Sequence, residues 1–249
     1  MRAFVVALVL ALAGAGAASA DPRVVGGSRV SIGDHPWAVY LADSSGNQFC
    51  GGTLVAPTKV LTAAHCTGAF APTIARVVVG REDKTDARQG EALPVVGVWR
   101  HPAHQSAERG SDVAVVTLGR ATSASPLGLA DDPALYEAGT AAVALGWGRT
   151  SEQGATSRYL RGVTVPVVSD ESCAASYSLF RPEAMVCAGV PEGGLDTCQG
   201  DSGGPLVAGG RLIGVTSWGE GCARKGKPGV YARVSTYRAA IVEQLHTAG

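Results

Sequence analysis

Three short stretches, far apart along the chain, carry residue types that could do chemistry together. They are Thr62-Ala63-Ala64-His65-Cys66, Ser111-Asp112-Val113-Ala114 and Gly200-Asp201-Ser202-Gly203-Gly204-Pro205. A lone histidine is usually a structural or surface group, and a lone serine a surface hydroxyl. Ser202 differs because glycines flank it, and backbone without side chains can turn its N–H groups toward a reacting carbonyl. Asp112 enters the apolar run 113–116, where a carboxylate is costly to bury unless a donor pairs with it. A hydroxyl, an imidazole and a carboxylate can together attack a carbonyl, provided folding brings them within hydrogen-bond reach.

The elements that must position these groups read as β. Short β-rich runs stand at 38–41, 52–55, 76–79, 95–99 and 113–118, then at 142–145, 162–168, 211–217 and 229–234, with Gly and Pro between them. No long amphipathic helices alternate with these runs, which argues for an antiparallel barrel or sandwich and against a parallel α/β sheet. One helix closes the chain: Ser235 is the expected N-cap, and Tyr237, Ile241 and Leu245 form an apolar stripe. The Ala-, Ser-, Pro-, Gly- and Asp-rich stretch 120–134 reads as a linker between halves of about 24–125 and 126–249.

Composition agrees. Lys plus Arg (21) balances Asp plus Glu (21), so charge supplies no case for nucleic acid or an anionic membrane as partner. With 46% hydrophobic and 17% charged residues, the chain is too apolar for intrinsic disorder. Its 34 glycines among 249 residues are close to twice the usual share and favour a turn-rich fold.

Residues 1–20 read as a secretory signal, with Arg2 at the start, an apolar run over 4–12 and Ala18-Ser19-Ala20 at the expected cut. The apolar stretch 3–18 falls short of the ~20 residues needed to span a bilayer. Export to an oxidising space makes an even set of cysteines intelligible: Cys50, Cys66, Cys173, Cys187, Cys198 and Cys222. No pair has zinc-site spacing, and spacing alone does not choose among the possible disulfide connectivities.

In this order the three stretches resemble those of the chymotrypsin/trypsin-type serine endopeptidases. The likeness runs from Val24 to the C-terminus, and the composition looks most like that of secreted bacterial trypsins. The resemblance implies an all-β fold of two packed six-stranded antiparallel barrels with a C-terminal α-helix and a cleft between the barrels. It implies Ser202 as nucleophile and His65 as general base, then acid. Asp112 would fix the imidazole tautomer, and the N–H groups of Gly200 and Ser202 would form an oxyanion hole. It also implies the bridges Cys50–Cys66, Cys173–Cys187 and Cys198–Cys222.

By the same resemblance Asp196, six residues before Ser202, is the floor of the specificity pocket. Gly219 and Gly229 leave that pocket open, so cleavage after Arg and Lys is expected. Ser217 would donate to Asp112, and Ser217-Trp218-Gly219 would pair with the substrate backbone. Arg23-Val24-Val25-Gly26-Gly27 resembles an activation junction: cutting after Arg23 frees the Val24 amine to pair with Asp201. Polypeptide substrates and protein protease inhibitors are the implied partners, and a secreted monomer is expected. No cofactor is required. Many trypsins carry a calcium loop in the region 80–91. Its acids here, Glu82, Asp83, Asp86 and Glu91, do not align with the usual ligands, and a solvated charged loop is the reading, with structural calcium as the alternative. His101-Pro102-Ala103-His104 reads as surface loop rather than a metal pair.

Two other readings make different predictions. Gly200-Asp201-Ser202-Gly203-Gly204 also satisfies the G-x-S-x-G turn of α/β-hydrolases, which needs a strand–turn–helix setting and a later acid–histidine pair. After Ser202 the chain offers Glu220 and His246, the latter near its very end. A catalytically dead relative serving as a binding module would usually have lost one of these motif residues, and all are present.

Overall fold

A computed structural model describes residues 24–247. The expected signal (1–20) and pro-segment (21–23), including Arg23, lie outside the described residues. A two-residue strand β1 (Ser28–Arg29) precedes six strands: β2 (Ala38–Ala42), β3 (Gln48–Ala56), β4 (Lys59–Thr62), β5 (Arg76–Val79), β6 (Glu91–Arg100) and β7 (Ala114–Leu118). These six close into a barrel in the order β2-β3-β4-β7-β6-β5. Six more follow: β8 (Ala141–Gly146), β9 (Arg161–Val168), β10 (Met185–Ala188), β11 (Pro205–Ala208), β12 (Arg211–Trp218) and β13 (Gly229–Arg233). They run in the order β9-β10-β13-β12-β11-β8, and pairing of β8 with β9 closes the second barrel, with β1 added outside β9. Every pairing between named strands is antiparallel, which removes the α/β-hydrolase reading.

Inward side chains fill the barrels, as small closed barrels require. Leu41, Leu54, Leu61, Val77, Leu93 and Val115 are buried in the first; Val163, Val165, Leu206, Ile213 and Tyr231 in the second. The barrels also pack on each other. The Tyr40 ring stands edge-on to Trp147 at 5.2 Å, and the indole N–H of Trp147 donates to the Glu82 carbonyl across the seam at 2.9 Å. Such a contact fixes the relative placement of two surfaces that must share one site. Cys50–Cys66 ties the first barrel internally, and Cys173–Cys187 and Cys198–Cys222 tie the second.

Among the described residues there are two α-helices. The first, α1 (Asp170–Ser176), was not expected, although its local signals are present: Ser169 accepts from the Ser172 N–H at 3.1 Å, and Asp170 and Glu171 occupy the first turn. The terminal helix α2 (Val234–Leu245) buries Tyr237 and Ile241 as its stripe predicts. Its cap differs from expectation. Arg233 occupies the N-cap position without a side-chain capping bond, Ser235 lies inside the first turn, and the Ser235 N–H donates to the Tyr136 hydroxyl at 3.0 Å. A tertiary contact has replaced the local cap. Among the described residues no helix is long and apolar enough to cross a membrane.

Candidate active site

His65 sits on a 3₁₀ turn, Ala64–Thr67, directly after β4, and its neighbour Cys66 is tied to Cys50 in β3. Asp112 lies two residues before the start of β7, which pairs with β4, so the two strands deliver the imidazole and the carboxylate side by side. The turn before Asp112 is strained: Gly110 and Ser111 both have positive φ, at 89° and 54°. For serine this costs free energy. The Ser111 N–H is held there by the Tyr237 hydroxyl of α2 at 2.8 Å, so the terminal helix braces the aspartate.

Asp112 is almost fully buried and saturated with donors. Its Oδ1 accepts from the His65 backbone N–H at 2.8 Å. Its Oδ2 lies 2.8 Å from His65 Nδ1 and accepts from Ser217 Oγ at 2.6 Å. Ser217 reaches it because the β12–β13 register slips between Thr216 and Trp218, a bulge that re-aims the side chain. Burial opposes ionisation of both partners, but their mutual hydrogen bond and attraction prevail. The His65 pKa is raised and that of Asp112 lowered, Ser217 assisting the aspartate and the Glu108 charge assisting the histidine.

Ser202 lies on the tight turn between Cys198 and β11. The Asp201 N–H donates to Cys198 C=O at 2.9 Å, and the Gly204 N–H to Asp201 C=O at 2.8 Å. Gly203 has φ 80°, and a Cβ there would strike Thr62 and the Gly51 carbonyl, so only glycine lets the turn press this closely on the first barrel. The Ser202 carbonyl accepts from the Gly51 N–H at 2.8 Å. Its backbone is therefore packed against β3, whose Cys50 is bridged to Cys66 beside His65. Among the described residues Ser202 Oγ makes no hydrogen bond within 3.5 Å, so His65 and Ser202 border adjoining cavities without a direct bond. Such contacts commonly tighten only around bound substrate.

Ser202 also borders a cavity of about 180 Å³ lined by Asp196, Ser217, Trp218, Gly219, Gly221 and Gly229 among others. At its floor Asp196 is 5% exposed. Its Oδ1 accepts from the Thr197 N–H at 2.7 Å and its Oδ2 from the Ala223 N–H at 3.0 Å. Burial pushes its pKa up to about 6, the two N–H bonds only partly opposing this. A Cβ on Gly229 would lie 2.6 Å from Asp196 Oδ1 and cover the carboxylate, whereas one on Gly219 would meet nothing closer than 3.9 Å. The Trp218 ring is held edge-on by Tyr177 at 4.9 Å.

A model of the trypsin family matches residues 24–241. The chain belongs to the trypsin family. It is 53% identical to "Trypsin" of Saccharopolyspora erythraea over 90% of this chain and 98% of that one. It is 40% identical to "Trypsin 5G1" of Aedes aegypti over 87% and 82% of the two chains, and 38% identical to "Vitellin-degrading protease" of Bombyx mori over 90% and 86%. As a trypsin-like serine endopeptidase, it acts on polypeptides.

Other trypsin-family features depart from expectation or were missed. His101 and His104, expected on a surface loop, are turned inward. His101 stacks edge-on between Trp99 and Tyr237, while His104, 9% exposed, points its Nδ1 at Asp112 Oδ1 from 3.7 Å. The four acids of the loop 80–91 are each taken by an arginine: Glu82 by Arg29 at 2.7 Å, Asp83 by Arg158 at 2.6 Å, Asp86 by Arg88 at 2.9 Å and Glu91 by Arg120 at 2.7 Å. The Arg81 guanidinium donates to two carbonyls of the same loop, Gln89 at 2.8 Å and Ala87 at 3.4 Å. Among the described residues no three of its carboxylates converge within 4.8 Å. A calcium site instead collects acids and carbonyls around one point.

Proposed function

We propose that the chain is a secreted zymogen which, once cut after Arg23, hydrolyses peptide bonds after Arg and Lys. Ser202 Oγ adds to the scissile carbonyl while its proton passes to His65 Nε2. The oxyanion is met by the Gly200 and Ser202 N–H groups, and the imidazolium, stabilised by Asp112, hands the proton to the leaving amine. Water then hydrolyses the acyl-enzyme by the same route in reverse. The observation that carries the specificity is Asp196: a buried carboxylate with two N–H donors and, among the described residues, no cation, at the end of a cavity that Ser202 opens onto. A buried charge of this kind is best satisfied by a guanidinium or ammonium delivered by substrate. The test is a set of matched peptide amides ending in Arg, Lys or Phe. Turnover of the first two, with Phe at least a hundredfold slower, is expected. Equal rates would overturn the specificity, and none at all the catalytic assignment.

The activation reading is supported by a second buried acid. Asp201 is fully buried; its Oδ1 accepts from the Gly148 N–H at 2.7 Å and its Oδ2 from the Cys198 N–H at 3.0 Å. Burial raises its pKa to about 6, and among the described residues no cation lies within 4 Å. An α-amino group supplied by cleavage would meet that need. The segment following the cut already touches the specificity loop: the Val25 carbonyl accepts from the Asp196 N–H at 3.2 Å. Because Arg23 suits the proposed pocket, self-processing is expected. Purified Ser202→Ala should therefore retain residues 21–23 on N-terminal sequencing while the parent loses them; spontaneous loss from the variant would refute self-processing.

The arginine pairing of the 80–91 loop supports a fold independent of calcium. Excess EDTA is expected to leave Tm and the rate on an arginine substrate unchanged, and a clear drop in Tm that added calcium restores would show otherwise.

A further inference from the structure

Gln48 opens β3 in the first barrel, and Lys84 lies on the loop between β5 and β6, yet both side chains converge on the turn that carries Gly200. Gln48 Nε2 donates to the Gly200 carbonyl at 2.6 Å, while its Oε1 accepts from Lys84 Nζ at 3.0 Å. The remaining Lys84 donors go to Thr156 Oγ1 at 3.2 Å and the Trp147 carbonyl at 3.4 Å, so all three ammonium protons have acceptors. The Trp147–Gly148 peptide continues the chain, because its N–H donates to Asp201 Oδ1.

We propose that Gln48 and Lys84 are positioning residues for the oxyanion site: Lys84 orients the Gln48 amide, and that amide fixes the Gly200 carbonyl so that the Gly200 N–H stays aimed at the reacting carbonyl. Three observations carry this. An amide can be flipped end for end at almost no steric cost, but here one end faces a carbonyl and the other an ammonium. Only the orientation with the NH₂ on Gly200 and the oxygen on Lys84 avoids two repulsive contacts. The Gly200 N–H lies in the Gln199–Gly200 peptide, whose carbonyl accepts from the Arg149 N–H at 2.8 Å; Gly200, at φ 95°, has no side chain to restrain the torsions to the next peptide, so an anchor on its own carbonyl fixes the other side of the turn. Lys84 is also turned inward, and burial lowers its pKa to about 8 against the attraction of Asp201. A cation held there at a desolvation cost is consistent with a fixed hydrogen-bonding task.

The inference rests on Gly200 being an oxyanion donor, and the experiment separates the two claims. Processed parent, Gln48→Met, Lys84→Met and the double variant are compared on an arginine amide substrate, and their affinities are measured for benzamidine and for an arginine-derived peptide aldehyde. Benzamidine needs only the Asp196 pocket, whereas the aldehyde adduct carries an oxyanion. The expected result is a kcat about tenfold lower, less than the loss on removing a donor outright. KM and benzamidine affinity should hold within twofold while aldehyde affinity falls in step with kcat, and the double variant should be no worse than the poorer single. Unchanged kcat, additive losses, or equal loss of benzamidine and aldehyde affinity would overturn the proposal, the last marking a purely structural role. Should Gln48→Met fail to fold, Lys84→Met reads the same relay, since its ammonium holds the oxygen of the Gln48 amide whose NH₂ binds the Gly200 carbonyl. A parent that turns over no arginine substrate would remove the catalytic reading and this inference with it.

Discussion

Asp112→Asn is expected to lower kcat by about 10⁴, a magnitude taken from the general Ser–His–Asp template of this family, with KM for an arginine substrate little changed. The geometry explains why so small a change should cost so much. The carboxylate accepts on both oxygens, from the His65 backbone N–H on one and from His65 Nδ1 and Ser217 on the other. An asparagine keeps one acceptor, and the backbone N–H of His65 claims it. The amide NH₂ then faces Nδ1, which must become the acceptor. The ring proton moves to Nε2, the atom that has to take the proton of Ser202. Ser217 can rotate its hydroxyl to accept from the amide, so the fold should survive and Tm should move little. A loss under tenfold would show that the tautomer is set by something other than Asp112. The parent should also lose activity as pH falls through the raised His65 pKa, because protonated imidazole is no base.

What made this site legible in the sequence was that each component sits inside a local motif: a glycine-flanked serine, a histidine beside a cysteine, an aspartate opening an apolar run. Most strands were legible for a similar reason. The unread ones are Ser28–Arg29, two residues long, and Lys59–Thr62, Met185–Ala188 and Pro205–Ala208, four residues each, all too short for period-two alternation to stand out. Lys59–Thr62 is also separated from β3 by a two-residue turn and runs on into the His65 motif. Helix α1 carried a serine cap and two first-turn acids, but seven residues give no stripe. Gln48, Lys84, His104 and Tyr237 belong to another class. Gln48 lies 152 residues from the carbonyl it holds, and Tyr237 lies 126 from Ser111. Nothing within a dozen residues of either marks the partner, because the contact exists only after both barrels close. The disulfides fall between these cases: residue counts left the connectivity open, and family likeness supplied it. Ser235 shows the converse, a good local cap overridden by the Tyr136 hydroxyl.

Asp196→Ser is expected to cost arginine and lysine substrates roughly 10²- to 10⁴-fold in kcat/KM, the equivalent of about 3–5 kcal/mol for one half of a buried ion pair. Phe substrates should be unchanged or improved, since an apolar side chain no longer strands a buried charge. The pH dependence supplies an independent readout. The Asp196 pKa, raised to about 6 in the free protein, means that a proton competes with any cationic ligand below that pH. Benzamidine affinity in the parent should therefore be flat above about pH 7 and fall toward tenfold per unit below pH 6, well above the range of an ordinary aspartate at ~3.9. The other acid in that window, Asp201, is also raised to about 6 in the uncut chain and remains in the variant. Acid dependence surviving in Asp196→Ser belongs to Asp201 and His65, and the part that disappears after cleavage at Arg23 would show the new α-amino group holding the Asp201 carboxylate ionised. An unaltered preference for Arg over Phe in the variant would mean that the cavity floored by Asp196 does not receive the side chain before the cut bond.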